Sequence, residues 1–269
     1  MKDWHSADVR ANGVTLRYYR SGGEGPQLVL AHGMTDAAGC WSPVAEELAR
    51  DYDVVAYDAR GHGRSEKTSG GYVVPVYAAD LAALVVALGL SRPLLLGHSM
   101  GAATAAWAAA EHPGLFRAAL LEDPPWRAAD APRSDPEWTS RWHQDILAMQ
   151  RMPRDELLRK GRAEHPTWPE DQDAPWADAK TQVNPDIFET ADGILIDWQA
   201  VVPRIACPLL LITGDPELGG IVTPDVSREV QSLLPGAQVA HIAGAGHSVR
   251  RDRRDSYLAA VHAFLAAHR

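Results

Sequence analysis

The 269-residue chain reads as an α/β protein with a mostly parallel sheet covered by helices on both faces. Three observations carry that reading. Runs such as "PQLVLAHG", "PLLLGHS" and "CPLLLITGD" are apolar at nearly every position rather than alternating, as strands buried on both faces must be. Helical patterns separate these runs, and parallel strands need such crossovers. One segment, 124–203, breaks the rhythm and reads as an insertion between two sheet strands.

In order along the chain, "VRANGVTLRYYR" reads as a hairpin with Asn12-Gly13 at its turn. "PQLVLAHG" is a buried strand. "SPVAEELAR" follows as a helix, with Ser42 expected as N-cap and Pro43 in the first turn. "YDVVAYDARGHG" is a strand and its loop, and "VYAADLAALVVALGL" a helix. "PLLLGHS" is a strand, "AATAAWAAAEH" a helix stopped by Pro113, and "RAALLED" a strand. After the insertion come the strands "CPLLLITGD" and "AQVAHIAGAGH". The helix "RRDSYLAAVHAFLAAHR" closes the sequence.

Segment 124–203 holds Trp126, Trp138, Trp142, Trp168, Trp176 and Trp198, six of the nine tryptophans. Its helical patterns are short, as in "DPEWTSRWHQDILAMQ" and "PRDELLRKGRAEH", and it occupies the natural place for a lid. Most of its tryptophans are expected to pack the lid on the core, with one or two facing a pocket.

A formal charge of −9 and a pI near 5.6 argue against nucleic acid as a partner, since phosphate binding needs clustered Lys and Arg. Arg250, Arg251, Arg253 and Arg254 do form a basic run, but Asp252 and Asp255 are mixed into it, and it reads as a solvated helix start. Cys40 and Cys207 stand far apart with no metal-ligand spacing, as in a reducing compartment. The N-terminal stretch is charged, and no window approaches the roughly 18 apolar residues of a membrane span. The expectation is a cytoplasmic monomer or homodimer acting on a small molecule, without cofactor, metal or membrane.

The chemistry begins at "LLLGHSMGAATAAWAAA". A serine on a tight strand-to-helix turn projects its hydroxyl from the sheet's C-terminal edge, at the cost of a strained backbone. The residues two before and two after then lie too close to neighbouring backbone to carry side chains, and Gly97 and Gly101 fit that need. The turn also aims a helix N-terminus at the site. Ser99 is therefore the candidate nucleophile, and it needs a base. His247, in a glycine-rich loop after the last predicted strand, is the best placed of eleven histidines. His98 is expected to pack under the elbow, and His32 and His62 to shape loops.

The base needs an acid. Asp215, after "LLITG", is the expectation. Glu217, two residues on, and Asp123 in "LLEDPP" are its rivals. The developing oxyanion needs two backbone donors, expected from the N–H groups of Met34 and Met100. The two methionines suggest an apolar, adaptable acyl pocket.

Together "LVLAHGMT", "VVAYDARGHGRSE", "LLLGHSMGAATA", "LLITGD" and "GAGH" resemble the α/β-hydrolase superfamily in order and separation. The resemblance implies an eight-stranded, mostly parallel sheet with a core over 1–123 and 204–269 and a helical cap over 124–203. It also implies a Ser–acid–His triad. Carried over by residue, Ser99 is the nucleophile, His247 the base, and Met34 and Met100 the oxyanion donors. The Gly-x-x-Asp register of many relatives lands on Glu217 rather than Asp215. Serine at the elbow separates the chain from the branches that attack with a carboxylate.

The function expected from these residues is hydrolysis of a small-to-medium, largely apolar ester or lactone through an acyl-enzyme on Ser99. The same groups support C–C bond, amide or carbamate hydrolysis and cofactor-free perhydrolysis, and a non-catalytic receptor is the rival outside enzymology. Segment 124–203 carries 15 acidic and 9 basic residues, which gives no encouragement to a strongly anionic substrate.

Overall fold

The computed structural model describes residues 1, 3–128 and 136–269. It contains one eight-stranded sheet: β1 (His5–Ala11), β2 (Val14–Arg20), β3 (Gln27–Ala31), β4 (Asp53–Tyr57), β5 (Leu94–His98), β6 (Ala119–Glu122), β7 (Leu209–Thr213) and β8 (Gln238–His241). Their order across the sheet is β1-β2-β4-β3-β5-β6-β7-β8. The pairs β1–β2 and β2–β4 are antiparallel and all others parallel. The predicted hairpin forms, with Asn12 at φ 47° and Gly13 at φ 78°, the left-handed pair that a two-residue turn of this kind requires.

The apolar runs bury both faces because successive side chains point opposite ways. Leu28, Leu30, Leu94, Leu96, Leu120 and Ile212 face one core layer, and Val29, Leu95, Leu121 and Leu211 face the other. Helices α1 (Ser42–Leu48) and α10 (Arg254–Ala266) contribute to the first layer, while α2 (Val74–Ala87) and α3 (Met100–Glu111) contribute to the second. Ser42 does not cap α1 as expected. A 3₁₀ turn over Ala38–Trp41 leads into the helix, so Ser42 is already helical at φ −40° and no side chain bonds the helix start.

Between β6 and β7 lie α4 (Pro136–Met149), α5 (Arg154–Glu164), α6 (Asp173–Gln182), a kinked 3₁₀ stretch (Pro185–Ile194) and the short α7 (Trp198–Val201). Asp135, where the first of these helices was expected to start, lies outside the described residues. After β7 come α8 (Pro224–Leu233), then β8, the short α9 (Val249–Asp252) and α10. Among the described residues no helix is long and apolar enough to cross a membrane.

Candidate active site

Ser99 directly follows β5 and precedes α3, with φ 53° and ψ −117°, a conformation that L-residues rarely adopt. The surrounding backbone holds it there. The Ser99 N–H donates to the Glu122 carbonyl at 2.9 Å, and the Ser99 carbonyl accepts from the N–H groups of Ala102 and Ala103. The two glycines have the expected reason. A Cβ on Gly97 would meet the Gly101 carbonyl, and one on Gly101 would meet the carbonyls of Ala31 and His32.

His247 stands in the loop between β8 and α9, one third exposed, and Asp123 directly follows β6 with no exposed surface. The imidazole Nδ1 lies 2.6 Å from Asp123 Oδ2, to which it donates. The same carboxylate accepts the Ile221 N–H at 2.9 Å and the Val222 N–H at 2.9 Å, so its position is fixed from two sides. With Nδ1 so engaged, Nε2 is the nitrogen left as an acceptor. That is what drawing a proton from a hydroxyl requires.

The expectation of Asp215 as the histidine's acid is therefore corrected: the carboxylate on His247 belongs to Asp123. After β7 the chain turns through a 3₁₀ stretch at Pro216–Leu218. There Asp215 faces β8, its carboxylate pairing with His241 Nε2 at 2.8 Å and accepting the Gly244 N–H at 2.6 Å. Glu217 is exposed within that turn. Asp123 and Asp215 leave neighbouring strands, and the path of the loop after β7 turns Asp215 toward β8 instead of His247.

A cavity of about 880 Å³ opens over Ser99 and His247. One wall is the loop after β3, with Gly33, Met34, Thr35 and Asp36. That loop is tied down at several points. His62 Nε2 donates to the Met34 carbonyl at 2.6 Å, Lys180 Nζ donates to the Thr35 carbonyl at 2.8 Å, and Asp36 is ion-paired to Arg250 and Arg251. Met34 lines the cavity, whereas the side chain of Met100, the first residue of α3, packs in the core. The expected pair of methionines around an acyl pocket is thus one.

His98, His32 and His62 serve the scaffold. His98 Nε2 donates to the His247 carbonyl at 3.1 Å from beneath the elbow. Burial pulls its proton affinity well below the ordinary range, helped by the charge of Arg250. His32 accepts the Ala59 N–H and donates to the Gly33 carbonyl, and burial, with His62 beside it, pulls it down to about 3.

Two features were read differently from the sequence. Trp138, Trp142, Trp168 and Trp176 all line the cavity, more than the one or two expected, while Trp126 and Trp198 stack on each other away from it. Arg250 and Arg251 are not solvated. They are 1% and 4% exposed and ion-paired to Asp36 and Glu122. The acids that bury them lie more than a hundred positions away, so no local pattern could announce the pairing.

Fold and site together define an α/β hydrolase. The sequence profile of the "Alpha/beta hydrolase family" matches residues 28–260, and the chain belongs to that family. Its class of activity is hydrolysis. The chain is 36% identical over 267 residues to N-formylmaleamate deformylase of Pseudomonas putida, covering 96% of this chain and 95% of that one. It is 29% identical to 2-(acetamidomethylene)succinate hydrolase of Mesorhizobium japonicum, over 94% of this chain and 92% of the other. The crystal structure of an N-formylmaleamic acid deformylase from Pseudomonas putida S16 superposes with a TM-score of 0.83 at 29% identity, covering 96% of this chain and 100% of that one.

Proposed function

We propose that the chain is a serine hydrolase that cleaves the C–N bond of a small N-acyl compound, with Ser99, His247 and Asp123 as its triad. The observation that carries this reading is the 2.6 Å hydrogen bond from His247 to the buried Asp123, beside a serine held at φ 53° on the same cavity. The choice of bond rests on the relatives named above, whose substrates, N-formylmaleamate and 2-(acetamidomethylene)succinate, are both N-acyl compounds.

In the proposed reaction Ser99 Oγ attacks the acyl carbon while His247 Nε2 takes the hydroxyl proton. Asp123 stabilises the imidazolium that forms. The backbone N–H groups of Met34 and Met100 receive the developing oxyanion, a role supported by Met34 on the cavity wall and Met100 directly after Ser99. Collapse of the tetrahedral adduct breaks the C–N bond, and the nitrogen leaves with the proton from His247. Water then gives its proton to His247 and attacks the acyl-enzyme. The acid is released, and Ser99 regains its proton. Ester and lactone substrates would follow the same steps with an oxygen leaving group. The helices between β6 and β7 act as the cap, supplying the aromatic side of the cavity.

The test is fluorophosphonate labelling read by intact mass, run beside turnover of N-formylmaleamate, 2-(acetamidomethylene)succinate and p-nitrophenyl acetate. One adduct on the wild type, none on Ser99→Ala, and faster turnover of an N-acyl substrate than of the ester are expected. An unlabelled wild type would remove Ser99 as nucleophile, and turnover of the ester alone would restore the ester reading.

A further inference from the structure

Two buried cations stand on the wall of the cavity that holds Ser99. Lys180, from α6, is 6% exposed, and Arg251, from α9, is 4% exposed. Lys180 Nζ donates to the Thr35 carbonyl and to Thr35 Oγ1, both at 2.8 Å, and lies 3.9 Å from Asp36 Oδ1. Arg251 Nη2 donates to both oxygens of Asp36 at 3.1 Å, and its Nε donates to Gln172 Oε1 at 3.0 Å.

The carboxylate these two share is already taken. Arg250 Nη2 reaches Asp36 at 2.9 Å, and Arg250 in turn meets Glu122 behind it. Three cations thus converge on Asp36, and the buried Glu122 answers only Arg250. Asp36 itself is ionised: burial pushes its carboxyl up, but Arg251, Lys180 and Arg250 hold it well below the usual range. The surplus positive charge falls on the two cations that face the cavity. Both have donors to spare. An ammonium has three N–H groups and Lys180 uses two, while Arg251 Nη1 has no hydrogen-bond partner among the described residues.

Acidic side chains other than Asp36 also line the cavity, but among the described residues none of them forms an ion pair with Lys180 or Arg251. Asp145, Glu164 and Asp192 are exposed to solvent, where their fields are screened. Asp252 turns its oxygens to Trp168 Nε1 and to the Gly246 N–H, each at 2.8 Å, and not to either cation. The net acidity of segment 124–203 thus coexists with a cationic floor, because buried charges act through a lower effective dielectric than exposed ones.

We propose that Lys180 and Arg251 form a subsite for a carboxylate of the substrate, so that the substrates are short N-acyl compounds bearing a free carboxylate. The proposal rests on the reading of Ser99 as the nucleophile and adds to it what the rest of the substrate must carry. Thr35, which Lys180 grips, is the next residue after the proposed oxyanion donor Met34, so the subsite and the oxyanion position share one loop. Trp176 lies 5.3 Å from Lys180 Nζ and Trp168 lies 4.6 Å from the Arg251 guanidinium, and these ring faces keep the two cations in place. An arginine fork can take a carboxylate with two parallel bonds, and the lysine adds a point charge. Since Lys180 and both tryptophans come from the segment between β6 and β7, and Arg251 from the chain after β8, the subsite is complete only when that segment is seated.

The test uses maleate and its neutral diamide, titrated calorimetrically into Ser99→Ala, so that binding is read without turnover. Maleate is expected to bind and the diamide not. Arg251→Gln or Lys180→Met in that background should weaken maleate about tenfold to a hundredfold, with Arg251→Lys recovering part of the loss. In parallel, with Ser99 intact, the ratio of kcat/KM for N-formylmaleamate over its methyl ester should fall by a similar factor in each single variant. Equal binding of maleate and diamide would overturn the subsite, whether or not the variants fold. So would variants with native circular dichroism that keep the wild-type ratio. A labelled, active enzyme with no carboxylate preference would sink the subsite alone. An unlabelled, inactive protein that still discriminates maleate from its diamide would sink the triad and leave the subsite standing.

Discussion

His247 donates from Nδ1 to Asp123 across 2.6 Å, and the loop after β7 locks that carboxylate from the other side through the N–H groups of Ile221 and Val222. This arrangement predicts what an amide in its place would do. In Asp123→Asn the two backbone N–H groups would claim the side-chain oxygen and leave the NH₂ facing Nδ1. The imidazole would then carry its proton on Nε2, where it cannot accept one from Ser99. The expected loss in kcat is on the order of 10⁴.

Asp215→Asn removes a partner of His241 and of the Gly244 N–H instead, and should cost less than about tenfold in kcat, with a modest fall in Tm. Steady-state rates of the two variants decide between the acids, and equal losses would refute the assignment.

Ser99 is held where glycine would be at ease, at φ 53° and ψ −117°. Ser99→Gly and Ser99→Ala both remove the hydroxyl, but only the glycine relieves the backbone. Urea denaturation should find Ser99→Gly more stable than Ser99→Ala by about 1 kcal/mol. Gly101→Ala goes the other way. Its methyl group would press on the carbonyls of Ala31 and His32, which are strand-end backbone and cannot yield, so a loss of about 2 kcal/mol or more is expected. A neutral Gly101→Ala would mean the strand and helix can part at the elbow.

How far these features could be read from the sequence depended on how local their causes are. Strands β3, β5 and β7 declare themselves because both faces are buried, so nearly every residue is apolar. The elbow does too, because a close backbone approach demands glycine at fixed offsets from Ser99. The acid did not, since Asp123, Asp215 and Glu217 all follow strands at one sheet edge, and only the path of the loop at Pro216–Leu218 decides which reaches the imidazole. Arg250 and Arg251 misled for a related reason. Their neighbours Asp252 and Asp255 suggest a solvated surface, but their actual partners come from the loop after β3 and the end of β6.

Three buried histidines contribute to the pH dependence of stability. His32, His62 and His98 all have proton affinities lowered by burial, His32 to about 3. An unfolded histidine titrates near 6.5. Below that pH the unfolded chain therefore binds more protons than the folded one, so stability falls on acidification. For His32 the window runs from about 6.5 down to about 3. Its neutral ring donates at one nitrogen and accepts at the other, which a glutamine amide can imitate. Free energies of unfolding in urea between pH 6.5 and 5 should fall more steeply for the wild type than for His32→Gln, by up to about 1.4 kcal/mol per pH unit. Parallel curves would show that His32 takes up its proton in the folded state.

Arg250 joins three parts of the site from below. Its side chain, 1% exposed, bridges Asp36 in the loop after β3 and Glu122 at the end of β6, and stacks 4.4 Å over Trp41. Arg250→Met would leave both carboxylates buried without their shared cation, at a cost of about 3–5 kcal/mol. Adding Glu122→Gln should recover part of that loss, because one of the two stranded charges is then gone, and a double-mutant cycle measures the coupling. The deficit of the single variant should also depend on pH. Burial already pushes the Glu122 carboxyl up while Arg250 pulls it down, so without the arginine it rises further. A carboxyl whose folded affinity exceeds the unfolded one takes its proton as pH falls. The deficit of Arg250→Met relative to wild type is thus greatest at neutral pH and shrinks toward pH 5. A deficit independent of pH would show that the lost packing on Trp41, rather than the stranded charge, causes the damage.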